Sequence, residues 1–132
     1  MYKFLPIVHV LSRLGLLFSM VLAVPTLMSY FFLDNAFPAF AYTALATTLT
    51  SCAVWLLTFH FRRELRPRDG FTLVLMLWLA FALVAAMPIY IHIPGISFTD
   101  AFFEAMSGLT TTGATVMTSL DTLAPSVNFW RH

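Results

Sequence analysis

Three uncharged stretches of about 20 residues or more limit what this chain can fold into. At a rise of about 1.5 Å per residue, such a stretch coiled as a helix covers a hydrocarbon layer of roughly 30 Å. The first runs from Leu14 to Leu33 and the second from Asn35 to Phe61. The third begins at Phe71, after the charged segment Arg62-Arg63-Glu64-Leu65-Arg66-Pro67-Arg68-Asp69-Gly70. A bilayer admits only helices and closed barrels, and the strict alternation of barrel strands is absent, so the expected fold is an all-α membrane protein. Composition agrees: 10% of residues are charged and 60% hydrophobic, against about 25% charged in soluble domains. The formal net charge of +1 leaves neither a nucleic-acid-binding surface nor an acidic tail. A single cysteine, Cys52, excludes an intrachain disulfide and any metal-type Cys spacing.

The first stretch reads as a retained helix rather than a signal peptide. Leu22-Ala23-Val24-Pro25 is no A-x-A cleavage site, and apolarity continues to Leu33. Pro25 is expected to kink it. Arg62, Arg63, Arg66 and Arg68 form the one dense basic cluster, which by the positive-inside rule is a cytoplasmic loop at residues 62–70. The N-terminus, with Lys3 and Arg13, then also lies inside, and Asp34-Asn35 lies outside. His9, His60, His92 and His132 are too dispersed for a ligand set, and His9, His60 and His92 read as interface residues.

The third helix is expected over residues 71–91, with a stop near Pro88 or by His92-Ile93-Pro94-Gly95. Beyond it, Ser97-Phe98-Thr99-Asp100 has the form of a capping box and opens a helix over residues 98–107, with Gly108 as its natural stop. Ten residues of helix span only about 15 Å, half the hydrocarbon layer. The following Leu109-Thr110-Thr111-Thr112-Gly113-Ala114-Thr115 is too polar and irregular to cross in contact with lipid. A re-entrant loop over residues 108–116 fits these facts. The partially negative C-terminal end of its helix would favour a cation. Threonine hydroxyls and successive carbonyls are hard oxygen ligands suited to an alkali ion, and Gly113 permits a backbone turn that aligns them. A polar turn joining a surface helix to another segment would have the same composition, and the residues alone leave both readings open.

Asp100 and Glu104, at i and i+4, share a helix face. Early in a helix they complement its dipole, and at an outer mouth they would attract cations. No nucleophile or further carboxylate constellation accompanies them, so an enzyme is not expected.

Ordered landmarks carry a family resemblance: Arg13-Leu14-Gly15, then Leu65-Arg66-Pro67-Arg68-Asp69-Gly70-Phe71, then Thr99-Asp100-Ala101-Phe102-Phe103-Glu104, then Ser107-Gly108-Leu109-Thr110-Thr111-Thr112-Gly113-Ala114-Thr115, and last Phe129-Trp130-Arg131. With these the chain resembles the N-terminal part of the potassium-translocating membrane subunit of the bacterial Trk system, the TrkH/TrkG family. The resemblance implies a helix pair at residues 1–61. Channel-like repeats of outer helix, pore helix, filter loop and inner helix follow, the first beginning at residue 71. It implies K+ as the transported ion in the bacterial inner membrane and no further cofactor. Thr110, Thr111, Thr112 and Gly113 would form one of four filter segments, with Thr111 and Thr112 contacting the ion. It also implies a homodimer and a cytoplasmic nucleotide-binding regulatory subunit as partners. The family's inner helix would begin where this sequence ends, so the expectation is an N-terminal fragment, inactive without the remaining repeats. The alternative is a small membrane protein that modulates a full-length homologue.

Overall fold

The computed structural model describes residues 4–60, 66–118 and 120–131. Lys3, Arg62, Arg63 and His132 lie outside the described residues, as do Phe61, Glu64 and Leu65. The elements in chain order are α1 (Leu5–Val21), α2 (Ala23–Phe32), α3 (Phe37–Thr58), α4 (Pro67–His92) and α5 (Phe98–Leu109). A 3-10 turn at Leu120–Thr122 and α6 (Pro125–Arg131) complete them, and no strand occurs among the described residues.

The first helix starts well ahead of Leu14, because Pro6 suits a first turn and an isolated Arg13, left exposed, does not stop a helix. Pro25 acts where it was expected to. It lacks the N–H that would bond the Val21 carbonyl and crowds that carbonyl, so the helix is interrupted at Leu22. The backbone still runs on through bonds from Leu22 N–H to Phe18 O and from Thr26 N–H to Leu22 O, both 3.2 Å. Residues Leu5–Phe32 thus form one span of 28 residues.

α1 and α3 pair antiparallel. His9 Nδ1 lies 3.0 Å from Thr58 Oγ1, and further along a Cβ on Gly15 would run into Ser51 Oγ. The Ser51 hydroxyl lies over Gly15, where the absent side chain leaves it room and the two helices come close. His9 is therefore buried between helices at 6% exposure, packed against α3 rather than reaching outward. α4 begins at Pro67, inside the segment expected to be loop, because proline sets the first turn and Asp69 Oδ2 accepts the Arg66 N–H at 3.0 Å. It also passes through the fully buried Pro88 and ends at His92, ahead of Pro94 and a left-handed Gly95 (φ +81°).

The helices Leu5–Phe32, Phe37–Thr58 and Asp69–His92 are each long and apolar enough to cross a membrane. Their outward faces carry residues such as Phe31 and Leu57 at 77% exposure and Phe71 at 83%, which water would penalise and hydrocarbon would not. The core lies at one end of the bundle, where Phe18, Leu22, Ala36 and Phe40 meet Ala85, Ala86 and Ile89 of α4, Ala101 and Ala105 of α5, and Val127 of α6. Alanines on both α4 and α5 let those helices pack tightly, and α5 is held against the bundle by this contact.

Candidate functional site

The N-terminus of α5 is fixed as its sequence suggests. Ser97 Oγ accepts the Asp100 N–H at 3.0 Å, and Asp100 complements the helix dipole from the first turn. The C-terminus differs from expectation. Gly108 lies inside α5, and the helix closes beyond it in a Schellman turn: Thr112 N–H bonds Ser107 O at 2.9 Å and Thr111 N–H bonds Gly108 O at 3.0 Å. The left-handed residue of that turn is Thr111, at φ +54°, a conformation that costs a β-branched residue about 1–3 kcal/mol. Gly108 serves close approach instead of capping, since a Cβ there would stand 2.5 Å from the Arg131 carbonyl oxygen.

Thr110, Thr111, Thr112 and Gly113 then lie together in an exposed loop. Thr110 Oγ1 donates to Met106 O at 2.8 Å and lies 2.7 Å from Thr112 Oγ1, which fixes both side chains against the helix end. Gly113 takes φ +71°, the positive dihedral expected of it. The returning limb of the loop is tied to the back of α5. Ser107 Oγ donates to Ala114 O at 2.7 Å, while Glu104 Oε1 accepts Thr115 Oγ1 at 2.6 Å and the Val116 N–H at 2.7 Å.

Glu104, expected with Asp100 to offer charge at a pore mouth, does not fit that role. It is 1% exposed, and its Oε2 pairs with Arg131 Nη1 at 3.2 Å. A carboxylate neutralised by a guanidinium and shut away from solvent presents little field outside. Asp100 stays at the other end of α5, half-buried, beside Val116, Met117 and Thr118. Arg131 was legible only as a landmark, although a basic residue closing an apolar segment calls for an acidic partner. Glu104, Ser107, Gly108 and Arg131 line a cavity of about 310 Å³ behind the loop, with Thr111, Gly113 and Thr115 on its other wall.

α6 is fixed from several sides. Trp130 Nε1 donates to Ala85 O at 3.0 Å, and its ring lies 5.9 Å from that of Phe18 and 6.1 Å from that of Phe40. At its first turn, Asp34 Oδ2 in the α2–α3 connection accepts the Ser126 N–H at 2.9 Å. Asp34 Oδ1 accepts the Ser29 hydroxyl and, at 3.2 Å, the Ala36 N–H. Burial opposes ionisation of Asp34, but hydrogen bonds from Ser126, Ser29 and Ala36 outweigh it and hold its carboxyl below the ordinary carboxylate value. No group of three or more His, Cys, Asp or Glu that could hold a metal occurs among the described residues.

Residues 36–132 match the TrkH family, described as cation transport proteins. The chain is 37% identical over 127 residues to the Trk system potassium uptake protein TrkH of Halomonas elongata, covering 96% of this chain and 26% of that protein. Against TrkH of Escherichia coli K12 it is 36% identical over 130 residues, covering 98% and 27%. The crystal structure of the potassium transporter TrkH from Vibrio parahaemolyticus superposes with a TM-score of 0.87 at 36% identity, over 97% of this chain and 28% of that one. The chain therefore spans about a quarter of the length of these relatives. The shared helices and the match across residues 36–132 agree with the landmarks, and the chain belongs to the TrkH family of cation transport proteins.

Proposed function

We propose that this chain supplies the first quarter of a potassium path through the bacterial inner membrane. In this reading residues 1–61 are a preceding helix pair, and α4 is the outer helix of the first repeat. α5 is its pore helix, Thr110–Gly113 its filter segment, and α6 the approach to its inner helix. The N-terminus and the basic segment at residues 62–70 face the cytoplasm. K+ is the transported ion and meets Thr111 and Thr112. Asp100 acts as a charge at the outer mouth, and Glu104 holds the loop from behind. The remaining repeats complete the ring, and lipid surrounds it. A homodimer and a cytoplasmic nucleotide-binding subunit are partners implied by the family.

One observation carries this reading. The polar loop at the C-terminal end of α5 is bonded on its back to Ser107 and Glu104, while Thr110 to Gly113 remain exposed. A surface turn does not need its returning limb clamped by a buried carboxylate. An ion path does, because its ligands must hold their spacing when the ion sheds water.

The test uses a chimeric subunit in which these 132 residues replace the matched part of the Escherichia coli relative. Gly113→Ile cannot adopt φ +71° without strain and is expected to lower the preference for rubidium over sodium by about tenfold or more, equivalent to about 1.4 kcal/mol. Uptake by potassium-deficient cells with undiminished preference would count against the filter assignment.

A further inference from the structure

We infer that Asp34 is a positioning residue for the ion path, through which the preceding helix pair sets the geometry of the filter loop. The inference rests on the reading of Thr110–Gly113 as a filter segment and goes beyond it, because Asp34 lies in a connection that the transport reading leaves without a task.

The connection runs through three contacts in series. Asp34 grips the first turn of α6 at the Ser126 N–H, 92 residues away in sequence, at 2.9 Å. α6 is seven residues long and its Ser126 and Val127 are fully buried, so it moves as one short rod of about 10 Å. At its far end Arg131 Nη1 holds Glu104 Oε2 at 3.2 Å, and Glu104 Oε1 holds Thr115 and Val116 of the loop. The Arg131 carbonyl also sits against Gly108, the second-last residue of α5, whose own carbonyl accepts the Thr111 N–H in the Schellman turn, so a shift of α6 reaches both ends of the loop.

Asp34 is itself held firmly enough to act as an anchor. Its second oxygen is engaged by the Ser29 hydroxyl at the end of α2 and by the Ala36 N–H at the start of α3. It ties both helices of the pair to α6, and a carboxylate is the side chain that offers acceptors in both directions at once. Leu33 (φ +50°) and Asn35 (φ +62°) flank it in left-handed conformations, a turn shape that aims the carboxylate back at α6. α2 and α6 also lie in contact, so the Asp34 bond acts on a helix already seated against the pair.

The test compares Asp34→Asn, Asp34→Ala and Asn35→Gly in the chimeric subunit, with uptake normalised to protein in the membrane. Asn is isosteric but has one acceptor oxygen, so D34N keeps either the Ser126 arm or the Ser29 and Ala36 arm. D34A and D34N are expected to raise the apparent KM for rubidium by about tenfold and to reduce its preference over sodium, the size of a lost charge-assisted hydrogen bond. N35G is expected to change neither. In purified D34N the Val116 amide is expected to exchange with solvent faster than in the parent chimera. A merely structural role would lower the amount of protein while leaving KM, ion preference and Val116 exchange as they were, and that result would overturn the inference. The Gly113→Ile chimera separates the two readings: altered preference there with unaltered D34N removes the Asp34 link alone, and unaltered preference in both removes the filter assignment beneath it.

Discussion

Glu104→Ala is expected to abolish the preference of the chimeric subunit for rubidium over sodium and to destabilise its first repeat by about 3–5 kcal/mol. The reason is the burial of its partner. Arg131 is 9% exposed, its Nε has no hydrogen-bond partner among the described residues, and its remaining contacts are Glu104 at 3.2 Å and Asn128 at 3.4 Å. Without Glu104 the guanidinium is left buried and uncompensated, and Thr115 and Val116 lose their common acceptor. The double variant E104L/R131M separates the two consequences. Replacing a buried ion pair with apolar side chains is often neutral, so the thermal transition in detergent should recover towards that of the parent. Ion preference should not recover, because the loop's acceptor is still missing. Recovery of both would show that the pair serves stability alone.

Gly108→Ala should have the next largest effect. A methyl group there would stand 2.5 Å from the Arg131 carbonyl oxygen, a backbone atom that cannot swing aside as a side chain could. α6 must then move away from α5, at a cost of about 1–3 kcal/mol, and it takes Arg131 and the Glu104 pair with it. Gly15→Ala offers the contrast, since the atom it would meet is the Ser51 hydroxyl, which can rotate. Thermal unfolding and rubidium uptake of the two chimeras should differ, with G108A impaired in both and G15A close to the parent. Equal behaviour would mean that α5 and α6 tolerate separation.

Elements governed by hydropathy and by local backbone rules were legible in the sequence. Uncharged length marked the three long helices, Ser97 marked the start of α5, and Pro25 marked the interruption at Leu22. Helix ends set by tertiary contact were not. Gly108 looked like a stop because glycine usually ends helices, yet it is glycine because Arg131 crosses it, while the left-handed turn falls on Thr111. In the same way, charge spacing placed Glu104 beside Asp100 on one helix face but carried no information about Arg131, 27 residues on, which turns Glu104 from a mouth charge into a buried tether. The contacts of His9 and Asp34 were not legible for the same reason: their partners, Thr58 and Ser126, lie far along the chain.

Under the proposed function, the loop at the end of α5 contributes to a potassium path. Rubidium uptake by the chimeric subunit, in cells lacking their own potassium uptake and with the chimera's presence in the membrane verified, tests it most directly. The expected result is saturable uptake with rubidium and potassium favoured over sodium. A chimera that reaches the membrane intact and neither takes up rubidium nor distinguishes it from sodium would contradict the claim.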